Sequence, residues 1–214
     1  MRKAPKSQPF ELDGPTGPLE ALIEVPQEAS PAGVAIVCHP HPLHGGTMTN
    51  KVAHTLARSF VGAGFAALRF NFRGVGRSSG AFDGGVGEIA DVEAAVSWAR
   101  AEFPNLPFWL AGFSFGAAMA VHAALRVEPN GLISIAPAVT RFIGKIDSQP
   151  VCPWLVVQGD QDELVDIEET IAWINALEPG PALEVFEGTE HFFHGKLVRL
   201  RDTVESFIDD NGIS

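Results

Sequence analysis

Short apolar runs rich in β-branched residues alternate along the chain with stretches where apolar positions return every three or four residues. That alternation is the signature of βαβ units around a parallel sheet. Residues 33–38, 65–72, 107–111, 132–136, 154–158 and 183–186 read as strands, and continuous apolarity implies burial on both faces. Helices are predicted from about 50 to 62, where Val52, Leu56 and Phe60 share a face, and over 86–103, where Ile89, Val92, Val96 and Trp98 are available to a core. Three more are predicted over 116–125, 167–177 and 197–208. Ahead of these, 10–12 and 19–25 flank Asp13-Gly14-Pro15-Thr16-Gly17 and read as an antiparallel hairpin at the sheet edge. Residues 137–153 have room for a turn or a short helix, not for an inserted domain. The expected architecture is a three-layer α/β/α sandwich: a mostly parallel twisted sheet with an antiparallel N-terminal hairpin, no lid domain, and one domain over 1–214.

Composition narrows the chemistry. The 214 residues are 46% hydrophobic and 19% charged, enough apolar material for one well-filled core. Acidic residues outnumber basic ones 26 to 15, for a net charge of −11, with no Lys/Arg cluster; nucleic acid is therefore not an expected partner. Met1 to Lys6 carry positive charge, but Ser7 to Gly14 supply no apolar signal region, and every apolar stretch breaks well short of the roughly 20 residues a membrane helix needs. A cytoplasmic monomer or homodimer acting on a small molecule is the expectation. Cys38 and Cys152 adjoin apolar runs and read as reduced core residues.

Gly112-Phe113-Ser114-Phe115-Gly116 matches G-x-S-x-G and stands between an apolar strand and an Ala-rich helix. There the pentapeptide has mechanical meaning: glycines permit a tight, strained turn that presents the serine hydroxyl at the sheet's C-terminal edge. The helix start places free N–H groups and a positive dipole end beside Ser114, with the Phe115 N–H as first donor to a developing oxyanion. The plainer reading makes Ser114 only a helix cap.

A serine needs a base, and the base needs a carboxylate to fix its tautomer. The strand at 154–158 runs into Gly159-Asp160-Gln161-Asp162-Glu163, and that at 183–186 into Glu187-Gly188-Thr189-Glu190-His191. Asp162 is the chosen acid, with Asp160 its competitor two residues away; His191 is the base, with His194 a weaker candidate. Phe82, Phe113, Phe192 and Phe193 are candidates for an apolar substrate pocket, or simply for the core.

Together with Gly159-x-x-Asp162-x-x-Val165, Gly188-x-x-His191-x-Phe193 and Arg73-Gly74-x-Gly76-x-Ser78-x-Gly80, the elbow resembles the α/β-hydrolase superfamily from the hairpin to the last helix. Among its members the chain looks most like small lidless bacterial hydrolases, related to the dienelactone-hydrolase and serine-peptidase-like branches. The resemblance implies a Ser–Asp–His triad and no metal or organic cofactor; the expected reaction is cleavage of an ester, thioester or amide bond of a small substrate through an acyl-enzyme on Ser114, a carboxylesterase-like reaction first among these. One departure is His39-Pro40-His41-Pro42-Leu43-His44-Gly45-Gly46 where many relatives carry His-Gly. Pro40 and Pro42 lack an N–H, so a second oxyanion donor falls to His41, Leu43 or another nearby amide, with His41 preferred.

Three rival readings accompany this one. His39, His41 and His44, joined by His191 and His194, are a candidate metal site for a metal-dependent hydrolase. Gly74-Val75-Gly76-Arg77-Ser78-Ser79-Gly80 resembles a dinucleotide loop, but its third glycine comes one residue late, and a tight turn with Arg73 buried or paired accounts for it. The last is a non-catalytic binding protein on the same fold.

Overall fold

The strands are apolar on both sides because each is covered on both sides. A computed structural model describes residues 6–27, 29–146 and 148–212. In it β3 (Val34–Cys38), β4 (Ala66–Phe70), β5 (Phe108–Phe113), β6 (Gly131–Ile135) and β7 (Trp154–Gly159) are buried at every position. Alternate residues supply two separate cores. Val34, Ile36, Leu68, Leu110 and Val156 face one; Ala35, Val37, Ala67, Trp109, Ile133 and Val157 face the other.

Helices α2 (Val86–Glu102), α3 (Phe115–Val127) and α4 (Ile167–Asn175) cover the first core, and α1 (Lys51–Gly62) and α5 (Leu197–Asn211) the second. The period-2 alternation of the strands thus produces the three layers. Helix α3 is buried at nearly every position of its first ten, which is why its sequence is apolar all round rather than striped. Asn50 caps α1 and Asp166 caps α4, each side chain accepting from two free amides of the first turn.

With β1 (Lys6–Gly14), β2 (Gly17–Val25) and β8 (Ala182–Phe186), the sheet has eight strands among the described residues, in the order β1-β2-β4-β3-β5-β6-β7-β8. The hairpin and its contact with β4 are antiparallel and the rest is parallel. β1 begins at Lys6, earlier than the apolar pattern indicates, because Leu12 is its one buried residue and ladder hydrogen bonds hold the rest. The strand order reverses between β3 and β5, and open α/β sheets bind ligands beyond the carboxyl ends of strands at such a switch point.

The β6–β7 connection is a five-residue π-helical turn, Val139–Ile143, and irregular chain, with no lid. The glycine loop after β4 is a tight turn with φ positive at Gly74, Gly76 and Gly80. It is anchored by Arg73, whose guanidinium forks onto the fully buried Asp91 at 2.7–3.1 Å. Removing either partner would strand a buried charge, at a cost of about 3–5 kcal/mol. Among the described residues no helix is long and apolar enough to cross a membrane.

Candidate active site

The end of β5 turns into α3 through Ser114, whose backbone sits at φ 55°, ψ −115°. This region is disfavoured for residues with a Cβ and costs about 1–3 kcal/mol. Neither Gly112 nor Gly116 has positive φ. The strain therefore rests on the serine itself, and the glycines have a different task. A Cβ on Gly112 would lie 2.5 Å from the Ala117 nitrogen, and one on Gly116 would lie 2.5 Å from the Cys38 carbonyl oxygen. They let strand, helix and the end of β3 approach one another at backbone distance. Ser114 N–H donates to Ile135 O at 2.8 Å, locking the bend to β6.

The carboxylate comes from the loop after β7. Asp162 Oδ1 accepts from the backbone amides of Leu164 (2.9 Å) and Val165 (2.8 Å); Oδ2 accepts from Gln158 Nε2 (3.0 Å) and His191 Nδ1 (2.8 Å). Its side chain is wholly buried. Asp160, two residues earlier, is exposed and accepts from the Thr189 amide at 3.3 Å, so its role is to close the facing turn. The Gln161 N–H donates to Thr189 O at 3.1 Å, and a Cβ on Gly159 would collide with that same oxygen. The loops after β7 and β8 are thus zipped together, which delivers His191 to Asp162.

His191 is almost fully buried. Its ring lies 4.9 Å from that of Phe113 and meets Phe192 edge-on at 5.2 Å, and its backbone N–H donates to Glu163 Oε2 at 3.2 Å. Because a carboxylate can only accept, Nδ1 carries the proton and a neutral ring keeps Nε2 as an acceptor. His194, by contrast, is exposed and paired with Glu190.

Ser114 and His191 line one cleft of about 450 Å³. Its walls are His41 and His44 from the loop after β3, Phe115 from α3, Val139 to Phe142 from the π-helical turn, and Leu164, Val165 and Phe192. Of the four pocket candidates only Phe192 lines it. Phe113 continues the face of Trp109 and Ala111 into the core and supports the His191 ring from beneath; Phe193 is fully buried against Phe186. Phe82 packs behind the wall, on His41 and Phe115. Phe142, Val139 and Leu164 supply apolar wall instead, from segments without periodicity.

The amide of Phe115 is the first of α3 and has no acceptor within the helix. In the loop after β3, Leu43 N–H donates to His41 Nδ1 (3.2 Å), and the amides of His44 and Gly46 donate to His41 O (3.1 and 3.0 Å). Those three are already committed, and Leu43 is outside the cleft lining.

The three histidines of this loop do not come together: the His41 and His44 rings lie 4.6 Å apart, while His39 is buried against Phe72. His39 is fully buried, with Nδ1 bonded to Pro40 O at 2.6 Å and Nε2 accepting from Phe72 N at 3.0 Å, so both ring nitrogens are occupied. Burial pushes its pKa down to about 4. Burial first, then the charges of His44 and Arg141, lower that of His41. Among the described residues no group of three His, Cys, Asp or Glu is placed to hold a metal ion. Cys38 and Cys152 are free thiols; burial raises both pKa values, that of Cys152 to about 11, so neither is a thiolate at neutral pH.

Comparisons with known proteins agree with this architecture. The family model described as "Serine aminopeptidase, S33" matches residues 34–144, from β3 through the elbow to the π-helical turn. A Xanthomonas campestris α/β serine hydrolase without a lid is 42% identical and superposes with a TM-score of 0.92 over 98% of this chain and 97% of that one. An α/β serine hydrolase homologue from Coxiella burnetii is also 42% identical, with a TM-score of 0.89 over 93% of this chain and 96% of its own. An uncharacterized protein from Rickettsia prowazekii is 35% identical over 209 residues, covering 92% of this chain and 87% of that protein. With its eight-stranded sheet, serine elbow and short β6–β7 connection, the chain belongs to the α/β-hydrolase superfamily, among the bacterial serine hydrolases that lack a lid.

Proposed function

We propose that the chain hydrolyses an ester, thioester or amide bond of a small molecule through an acyl-enzyme on Ser114, with a carboxylesterase-type reaction as the leading case. The observation that carries this reading is the 2.8 Å contact of His191 Nδ1 with Asp162 Oδ2, in a cleft that His191 shares with the strained Ser114. His191 Nε2 takes the Ser114 proton, and Ser114 Oγ attacks the substrate carbonyl. The amides of Phe115 and His41 hold the oxyanion. His191 then protonates the leaving group, and a water deprotonated by His191 cleaves the acyl-enzyme. Asp162 keeps the imidazole in the productive tautomer and stabilises its cation.

Cleft size and walls favour short acyl groups. A cleft of about 450 Å³ without a covering domain encloses a small ligand but offers no tunnel for a long chain. Turnover should therefore fall from p-nitrophenyl acetate and butyrate to long-chain esters, and the reverse order would reject this preference.

The deciding experiment is fluorophosphonate labelling together with p-nitrophenyl acetate hydrolysis, in the wild type, in Ser114→Ala and after EDTA treatment. Labelling and turnover that survive EDTA and vanish in Ser114→Ala are expected. Failure of the wild type to label, or activity abolished only by EDTA, would overturn the proposal.

A further inference from the structure

Gln158 is the polar residue in a run of buried strand positions, following Trp154, Leu155, Val156 and Val157. Burying a primary amide carries a desolvation cost that an apolar residue avoids. Its Nε2 donates to Asp162 Oδ2 at 3.0 Å and to Val165 O at 3.1 Å, whereas its Oε1 is buried with no hydrogen-bond partner among the described residues. Both close Nε2 partners are acceptors, so the flipped amide would turn an oxygen on a carboxylate. The orientation is fixed, and it is kept at the expense of the amide's own oxygen.

The oxygen that Gln158 holds is the one that receives the proton side of His191. Oδ1 is already taken by two backbone amides. We propose that Gln158 is a positioning residue of the reaction: by sharing Oδ2 with His191 it fixes the carboxylate's rotation and draws off negative charge that would otherwise go to the imidazolium formed during the reaction. This rests on reading Ser114, Asp162 and His191 as the triad.

The sign follows from the competition. A hydrogen bond to a carboxylate stabilises its charge, and removing that donor leaves more charge for the remaining partner, which raises the pKa of the base. The other titratable groups near His191 are Glu163 on the Asp162 loop, Glu190 and His194 on its own loop, and His41, His44, Arg141 and Glu169 around the cleft. None is altered by substituting Gln158, so a difference between wild type and variant reports the shared oxygen.

The test is kcat/KM for p-nitrophenyl acetate against pH, whose acid limb reports the free enzyme's base. It is measured in the wild type, in Gln158→Met, which keeps length and volume without the donor, and in Gln158→Leu, which removes the donor with a second apolar shape. The limb is expected to move up by about half a pH unit in Gln158→Met and in Gln158→Leu alike, since both remove the same donor. Simple loss of packing would lower the plateau and leave the limb in place. A limb that stays put or moves down in Gln158→Met overturns the proposal, and Gln158→Leu alone decides if the first variant does not fold. Wild type that escapes fluorophosphonate, or Ser114→Ala that retains turnover, overturns the triad reading instead.

Discussion

Gly116 abuts the carbonyl of His39, so that the first turn of α3 and the exit of β3 meet with no side chain between them. A methyl group on Gly116 would overlap the His39 oxygen and lie 2.5 Å from that of Cys38. The obstacle is backbone on a central strand, which has nowhere to move. Gly116→Ala is expected to cost about 3 kcal/mol, the upper end of ordinary overpacking. It should also lower turnover steeply, because His41 and Phe115 lie on the two segments forced apart. Urea unfolding and p-nitrophenyl acetate turnover measure both effects.

Strain at Ser114 has its own signature. Its φ of 55° is disfavoured for any residue with a Cβ. Ser114→Gly should therefore be more stable to urea than Ser114→Ala by about 1 kcal/mol, the relief of strain exceeding the extra entropy glycine loses on folding. Both variants lack the hydroxyl, so the comparison separates backbone strain from chemistry. Equal midpoints would show the elbow to be unstrained.

The parts legible in the sequence are those where one local pattern decides the outcome. Continuous apolar runs located β3 to β7, and the elbow, Asp162 and His191 followed from strand ends that the runs define. Phe113 and Phe193 do not line the cleft, although both adjoin site residues. Phe113 shares the parity of Trp109 and Ala111, which sends it to the core, and Phe193 is drawn under the loop against Phe186. The cleft wall from Val139 to Phe142 was not legible, because a π-helical turn has no apolar period and its place depends on ties made far away. His122 Nε2 to Phe142 O and Trp173 Nε1 to Gly144 O are two of them. Gln158 did leave a trace, as a polar residue closing an apolar strand.

The two aspartates of the β7 loop should separate cleanly on substitution. Asp162 accepts four hydrogen bonds with its side chain fully buried, so Asp162→Asn would turn an amide donor on groups that themselves donate. Turnover is expected to fall about a thousandfold or more, with a stability loss of about 1–3 kcal/mol. Asp160→Asn keeps an oxygen for the Thr189 amide and should stay within about threefold of wild-type turnover, as exposed positions away from buried networks usually do. Steady-state kinetics of the pair, with urea midpoints, decide the assignment.

His39 should make the protein acid-sensitive in a defined window. Burial holds its pKa near 4 in the folded chain, against an ordinary value of 6.5. Between those values the unfolded chain binds the extra proton, so stability rises with pH: it is fully present above 6.5 and is lost as pH falls toward 4. Integrated over that range, the group should withdraw about 2 kcal/mol by about pH 5 and about 3 kcal/mol by about pH 4. The proton has no place to go in the fold, since Nε2 accepts from Phe72 N and Nδ1 faces Pro40 O. His39→Gln, which does not titrate, should be the less stable protein near neutrality yet lose less on acidification. Urea unfolding at about pH 7.5 and about pH 5 measures the difference, and parallel losses in the two proteins would place the acid sensitivity elsewhere.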